Sequence, residues 1–487
     1  MAQKPETGTV KVGNIDVTGT IEKARALLQD ESGISASFRA TIELLLTVVT
    51  LLCQRLGLNS TNSSKPPSTD PNRPRQVRQK SERKPGGQPG HKGVTLEMVA
   101  DPSEIRHLKV NRATLPAGKY RRVGTEKRQV VDVDFVRVVT EYQAEILEDS
   151  QGQRFTAKFP SGVTQRIQYG PGLKAHSVYM SQHQLLPYKR VTEYFADQLG
   201  IPVSAGSIHR FNQEAFEKLE SFEALAKEKL AASPLIHADE TGSNINKNRH
   251  WLHVASNELW VCLFIHEKRG RLAMEEMGIL PFFRGVLVHD HMKAYFTFDK
   301  IKNALCNAHH LRELTWAHEQ DAQQWAEEMR KFLLELNDAV NSAGGALVES
   351  EQTQWRQRYR DLLAKADKEC PPPDPALHKG KRGRQKRSKS RNLLERLQDF
   401  ESDVLRFMEV VYVPFTNNRA ENDLRMSKVQ QKISGCFRSI EGARFFCRIR
   451  SYLLTCQRRK ISASDALTAI FTGDANAAIS LIAQRAE

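Results

Sequence analysis

Two short, almost wholly apolar runs in this chain each stop at an aspartate, and few folds accommodate that pattern. Pro234-Leu-Ile-His-Ala ends at Asp239, and Gly285-Val-Leu-Val-His ends at Asp290. Runs so brief and so rich in branched aliphatic side chains read as strands of an α/β sheet buried on both faces. A third acid, Glu421, lies in Asn417-Asn-Arg-Ala-Glu, where the extended segment Tyr412-Val-Pro-Phe gives way to a helix. Three carboxylates on three separate elements can converge on one point and hold hard cations through oxygen ligands.

The chain is 487 residues long, which predicts three or more modules rather than one core. Its net charge of +15 and pI near 9.4 point to a polyanionic partner. With a carboxylate site, that charge favours phosphodiester chemistry on nucleic acid. No run reaches the ~18 apolar residues of a membrane helix, and Met1-Ala-Gln-Lys-Pro-Glu lacks the pattern of a secretory signal. The seven cysteines include no Cys-x-x-Cys pair, so they are expected to be reduced, mostly buried thiols of a cytoplasmic protein.

The expected organisation changes character several times. Residues 1–58 form a helical segment in which Ile42, Leu45, Leu46, Val49, Leu52, Cys53 and Leu56 share one face, suited to self-association or to docking on the same chain. Residues 59–95 form a basic linker, with eight Lys/Arg against two acids from 61 to 95, suited to lying along phosphates or simply solvated. Residues 96–165 alternate in places and predict a small β module. Residues 166–230 are helical, and the turn at Gly200 makes them either a helix-turn-helix for DNA or a plain helical hairpin. An α/β domain spans 231–426, with a polar helical insertion at 318–400. Within that insertion, residues 379–391 carry eight cations and no acid. A basic helical region, 427–487, closes the chain. The fold class is therefore multidomain, α/β plus α.

Magnesium takes one or two protein carboxylates plus substrate phosphate, so three carboxylates suit a pair of ions ~3.5–4 Å apart. Asp239, Asp290 and Glu421 are the candidate catalytic residues and metal ligands. Taken singly, each has a plainer reading: a strand-end aspartate caps a turn, and Glu421 pairs with Arg425 one helical turn on. Cys306 and His309 have ligand-like spacing, but no second such pair accompanies them. They are assigned, with His310, Asn417 and Asn418, to support of the site. His289 and His291 should point away from Asp290 if the strand persists. Candidate phosphate contacts are Lys84, Lys92, Lys379, Lys381, Arg382, Arg384, Arg419, Arg425, Lys428, Lys432 and Arg438, with Arg444, Arg448 and Arg450 completing a cationic cradle near Glu421.

Long motifs then resemble one family. Asp239-Glu-Thr-Gly, Trp251-Leu-His-Val-Ala-Ser, Gly285-Val-Leu-Val-His-Asp-His-Met-Lys-Ala-Tyr, Ala304-Leu-Cys-Asn-Ala-His-His-Leu-Arg-Glu-Leu and Pro414-Phe-Thr-Asn-Asn-Arg-Ala-Glu-Asn-Asp-Leu-Arg-Met look like the transposases of insertion-sequence family 66. The linker Lys84-Pro-Gly-Gly-Gln-Pro-Gly-His-Lys-Gly is similar too. The resemblance implies a ribonuclease-H-like catalytic fold and a DDE triad of Asp239, Asp290 and Glu421, spaced by 51 and 131 residues. It also implies magnesium, or manganese, at two positions, with no other cofactor. The expected partners are the element's own DNA ends and target DNA, further copies of the chain, and accessory proteins of the same element. One departure is clear: residues 94–165 contain no cysteine, so the zinc-binding segment common in that family is not expected here. The other readings are a DNA-binding protein without catalysis and a metal-dependent nuclease without strand transfer.

Overall fold

The computed structural model describes residues 11–12, 15–31, 33–56, 96–374, 385, 387–473 and 476–483. Among these, 96–141 form a unit of their own and the others belong to a second. The linker 59–95 and the cations Lys84, Lys92, Lys379, Lys381, Arg382 and Arg384 fall almost wholly or entirely outside the described residues.

The described N-terminal residues begin with a minimal antiparallel pair, β1 (Lys11–Val12) and β2 (Ile15–Asp16), followed by α1 (Val17–Asp30) and α2 (Ala36–Leu56). Ser35 caps α2 by accepting the Phe38 N–H, and Arg39 donates back to the Glu31 carbonyl at 2.8 Å. Leu44, Leu45, Leu51 and Leu52 on α2 are all more than half exposed.

The β module expected over 96–165 reduces to one hairpin, β3 (Ile146–Glu148) with β4 (Arg154–Thr156), whose turn is held by Asp149 accepting the Gln151 and Gln153 N–H groups. No residue from 96 to 165 is buried. The alternating stretch from 130 has no partner strand among the described residues, and Val130 and Val138 stay 92% and 83% exposed. Alternation alone therefore misled the reading, because a strand needs a neighbour for its backbone.

Next comes a helical layer. α3 (Pro171–Val178) starts with proline at its first turn and runs into a π turn at Tyr179–His183. α4 (Tyr188–Leu199) ends at Gly200, whose φ of 62° is left-handed, and Ser204 caps α5 (Ala205–Lys218) through the Ser207 N–H. α6 (Glu220–Ala231) follows at once. α5 buries Ile208, Phe211 and Ala215 in the core and leaves Arg210, Gln213 and Glu217 outside.

The centre of the molecule is a five-stranded mixed sheet in the order β7-β6-β5-β8-β9. β5 (Leu235–Ile245), β6 (Asn248–Ser256) and β7 (Val261–His266) form an antiparallel meander. Asn246 and Lys247, both at positive φ, make the two-residue turn between the first two. After α7 (Arg271–Met277), β8 (Val286–His289) lies parallel to β5, and β9 (Lys302–Leu305) lies parallel to β8. The entry to β8 needs glycine: a Cβ on Gly285 would sit 2.3 Å from the Pro234 carbonyl oxygen. That same oxygen accepts the Val286 N–H.

Both faces of the sheet are covered. Ile236, Ala238 and Leu287 pack with α3, α5, α6 and the C-terminal helices; Val286, Val288, Ala304 and Leu305 pack with the insertion. The insertion comprises α8 (Asn307–Asp321), α9 (Gln324–Ser342), α10 (Glu349–Glu369), α11 (Lys389–Asp399) and α12 (Glu401–Leu405). It is less polar inside than its composition suggests, since α9 buries Trp325, Met329, Phe332, Leu333, Leu336 and Val340 along one face.

α13 (Asn418–Ser434) and α14 (Ile440–Arg458) return to the sheet, and α15 (Ala463–Thr472) and α16 (Ala477–Ala483) end the described chain. α14 guards the edge strand β7 with hydroxyls: Ser451 Oγ accepts the Leu263 N–H at 2.8 Å and Thr455 Oγ1 accepts that of Val261 at 3.1 Å. Because Phe222, Trp260, Tyr452 and Cys456 share one core with Ile236 and Leu287, the boundaries expected at 231 and 427 do not separate independent cores.

Candidate active site

Asp239 does not end its strand as the sequence suggests. β5 continues to Ile245 because β6 pairs with it throughout, whereas parallel pairing with β8 stops at His237–Val288. Asp239 thus stands where the sheet opens on one side. Its Oδ1 accepts the Glu240 N–H at 2.8 Å. Asp290 follows the last residue of β8, and its Oδ1 accepts the Met292 N–H at 2.9 Å, bending the chain away. Glu421 sits in the first turn of α13, where the helix dipole favours an acid.

All three acids line one pocket of about 570 Å³. They divide into two groups. Carboxylate oxygens of Asp239, Glu240 and Asp290 lie within 4.8 Å of one another, while Glu421 is grouped with Cys306 Sγ and a ring nitrogen of His309 within the same limit. Burial pushes the Asp239 carboxyl well above the usual range, reinforced by the Glu240, Asp290 and Glu421 charges. Burial and Asp290 also raise Glu240, opposed by hydrogen bonds from Tyr295 and Arg269. Clustered, dehydrated carboxylates of this kind suit a bound hard cation.

Glu240 was not singled out from sequence, because neighbours on a strand should face opposite ways. Its longer side chain nevertheless joins Asp239 and Asp290. Tyr295 donates its hydroxyl at 2.7 Å, and Arg269 donates Nε at 2.9 Å and Nη2 at 2.6 Å. Three further cations missed in the sequence, Arg269, Arg312 and Arg396, line the pocket. Arg312 lies one turn after His309, a spacing that would have found it. Arg396 is engaged with Glu313.

Cys306, His309 and His310 line the pocket, and Asn417 lies against Cys306. Asn417 is buried and donates its N–H to Cys306 Sγ at 3.1 Å and its side-chain amide to the Ala238 carbonyl at 2.8 Å. Its Oδ1 faces His237 Nδ1 at 2.9 Å, so that nitrogen carries the proton of a ring that burial holds neutral, near a pKa of about 4. His310 is buried against Asn307 Oδ1. Asn418, by contrast, is exposed and lines no part of the pocket. His289 points away, towards Asn303 and Tyr295, but His291 enters the pocket wall beside Phe296 and Phe400, because the strand stops before it.

The cationic cradle needs correction. Arg448 is turned inward to Glu223 and the Phe216 carbonyl, and Arg450 is buried with its Nη1 on the His183 carbonyl. Arg419 reaches the β6–β7 turn at Asn257 and Glu258, and Lys428 donates to the Gly242 carbonyl at 3.0 Å. Arg425, Lys432 and Arg438 are exposed. Among the described residues Glu421 makes no ion pair with Arg425; His309 Nδ1 lies 3.9 Å from its Oε1.

A five-stranded mixed sheet and a neighbouring helix thus bring three acids to one pocket in a strongly basic chain. A family model described as Transposase IS66 family matches residues 166–445, more than half of the chain and all three acids. The chain belongs to the IS66 transposase family. A second model, a family of unknown function (DUF6444), matches residues 16–97. No curated protein matches the chain. No described helix is long and apolar enough to cross a membrane.

Proposed function

We propose that this protein is a DDE-type DNA transposase that binds the ends of its own element, hydrolyses a phosphodiester bond there and joins the freed 3′-hydroxyl to target DNA. The observation that carries the reading is the arrival of Asp239, Asp290 and Glu421 from a strand, a strand end and a helix start in one pocket. The sheet order, with an antiparallel meander whose first strand is continued by two parallel strands, supports a ribonuclease-H-like fold.

Asp239, Asp290 and Glu421 would hold the two magnesium or manganese ions between them. Bound there, the pair supplies Lewis-acid polarisation of the scissile phosphate and a lowered pKa for the attacking water or hydroxyl. The chain's own residues do the rest. Asn417 fixes the start of α13 against β5 and so aims Glu421, and Arg269 with Tyr295 holds Glu240 beside the two aspartates. Arg312 faces the pocket without a hydrogen bond or ion pair among the described residues, and is assigned to the phosphate. Exposed Arg425, Lys432 and Arg438 extend the basic surface along α13 and beyond. Two element ends must be held together, which requires more than one copy of the chain, with or without accessory proteins.

The test is strand transfer of a labelled, pre-cleaved element end into plasmid DNA with magnesium, comparing wild type with Glu421→Gln. Joined product from wild type alone supports the proposal. DNA cleaved but never joined would make the protein a nuclease, and tight end-binding without either reaction would make it a binding protein.

A further inference from the structure

The second group in the pocket differs in chemistry from the first. Cys306 immediately precedes α8, His309 lies within that helix's first turn, and Glu421 comes from the first turn of α13. Sulfur, nitrogen and oxygen donors from these three lie within 4.8 Å of one another, whereas the Asp239, Glu240 and Asp290 group offers oxygen alone. His309 Nδ1 and Glu421 Oε1 are both shielded from solvent, and neither has a hydrogen-bond partner among the described residues. Polar atoms so placed are costly to leave unsatisfied, and two of them facing each other at 3.9 Å mark a place for something between. Cys306 Sγ, already oriented by the Asn417 N–H, completes the third corner. Spacing along the chain could not show this, because the third donor is not a second Cys/His pair but a carboxylate far downstream.

We propose that Cys306, His309 and Glu421 form a site for one thiophilic divalent ion of the zinc class, separate from the all-oxygen group. Zinc accepts this donor set in tetrahedral geometry, and all three donor residues line the pocket, which would leave a fourth position to solvent or a ligand. Binding replaces the S–H bond of Cys306 by a sulfur–metal bond and releases its proton to solvent. Given the proposed role of Glu421 in transposition, an ion held here withdraws that carboxylate from the magnesium position, so thiophilic metals antagonise the reaction.

The experiment is titration of Cd²⁺ into the full-length, metal-free protein without DNA, read by the ultraviolet thiolate-to-cadmium absorption. One saturable equivalent is expected. Cys306→Ser should abolish the band, and His309→Ala should weaken Cd²⁺ binding by roughly tenfold or more. Asp239→Asn should leave both band and affinity as in wild type, so the metal site stands or falls apart from catalysis. Circular dichroism identifies any variant that has not folded, and His309, a quarter exposed, is the safer substitution if Cys306→Ser misfolds. A wild-type protein with no band, or a band unchanged in folded Cys306→Ser and His309→Ala, would overturn the proposal.

Discussion

Asn417 donates its side-chain amide to the carbonyl of Ala238 across 2.8 Å, joining the start of the helix that carries Glu421 to the strand that carries Asp239. The two residues are 179 positions apart, and the bond is buried. Asn417→Ala would leave the Ala238 carbonyl and the His237 Nδ1–H without partners, at a cost of roughly 2–4 kcal/mol. Denaturant unfolding should show that loss. Strand transfer should fall further than the unfolded fraction explains, because Glu421 is no longer aimed; an active, merely less stable variant would refute the positioning role.

Arg312 offers the opposite profile. It is half-buried on the pocket wall with no partner among the described residues, so Arg312→Ala should change stability by only about 0.5 kcal/mol. DNA binding should nevertheless weaken, with the salt slope falling by about one unit as one phosphate contact is lost. An unchanged slope would remove Arg312 from the phosphate path.

Asp423 and Arg458 form a shielded ion pair at 2.7 Å, and Arg458 also donates to the Asn257 and Trp260 carbonyls. Asp423→Ala leaves the guanidinium buried beside carbonyls alone and should cost roughly 3–5 kcal/mol. The predicted readout is a lower denaturation midpoint with an unchanged m-value. A loss under 1 kcal/mol would show that water replaces the carboxylate.

His253, paired across the strands with Glu240, supplies a pH signature of its own. Burial holds its pKa near 4, against 6.5 for a free imidazole; the Lys268 carbonyl opposes that shift, and His266 and Arg269 add to it. The unfolded chain therefore takes up a proton that the folded chain refuses. The corresponding stability is fully present above pH 6.5 and is lost as pH falls towards 4, by at most about 1.4 kcal/mol per pH unit. The stability gap between wild type and His253→Gln, measured by urea midpoints, should narrow over that window. A constant gap would contradict it.

How much of this the sequence displayed depended on which force set each element. β8 and its aspartate were legible because a strand buried on both faces must be apolar along its length. The start of α13 was legible in Asn417-Asn-Arg-Ala-Glu, where polar residues end an extended segment. The second half of β5 was not, since Glu240-Thr-Gly-Ser-Asn carries no apolar period and is held by its partner β6. Arg448 and Arg450 looked like surface cations because composition cannot tell a charge facing DNA from one facing Glu223 or a carbonyl. The pairing of Glu421 with Cys306 and His309 depends wholly on tertiary folding, as does the use of Glu240 beside Asp239.

The five helices α8 to α12 lie in the chain between the second acid and the third. A ribosome must therefore add 131 residues after Asp290 before Glu421 exists, which at ~5–20 residues per second takes roughly 7–26 s. Throughout that interval the nascent chain already holds both aspartates and the strands that present them, yet it lacks the helix that completes the pocket. On the proposed reading no growing copy holds a complete centre, because the third acid arrives only when nearly nine-tenths of the chain has been made.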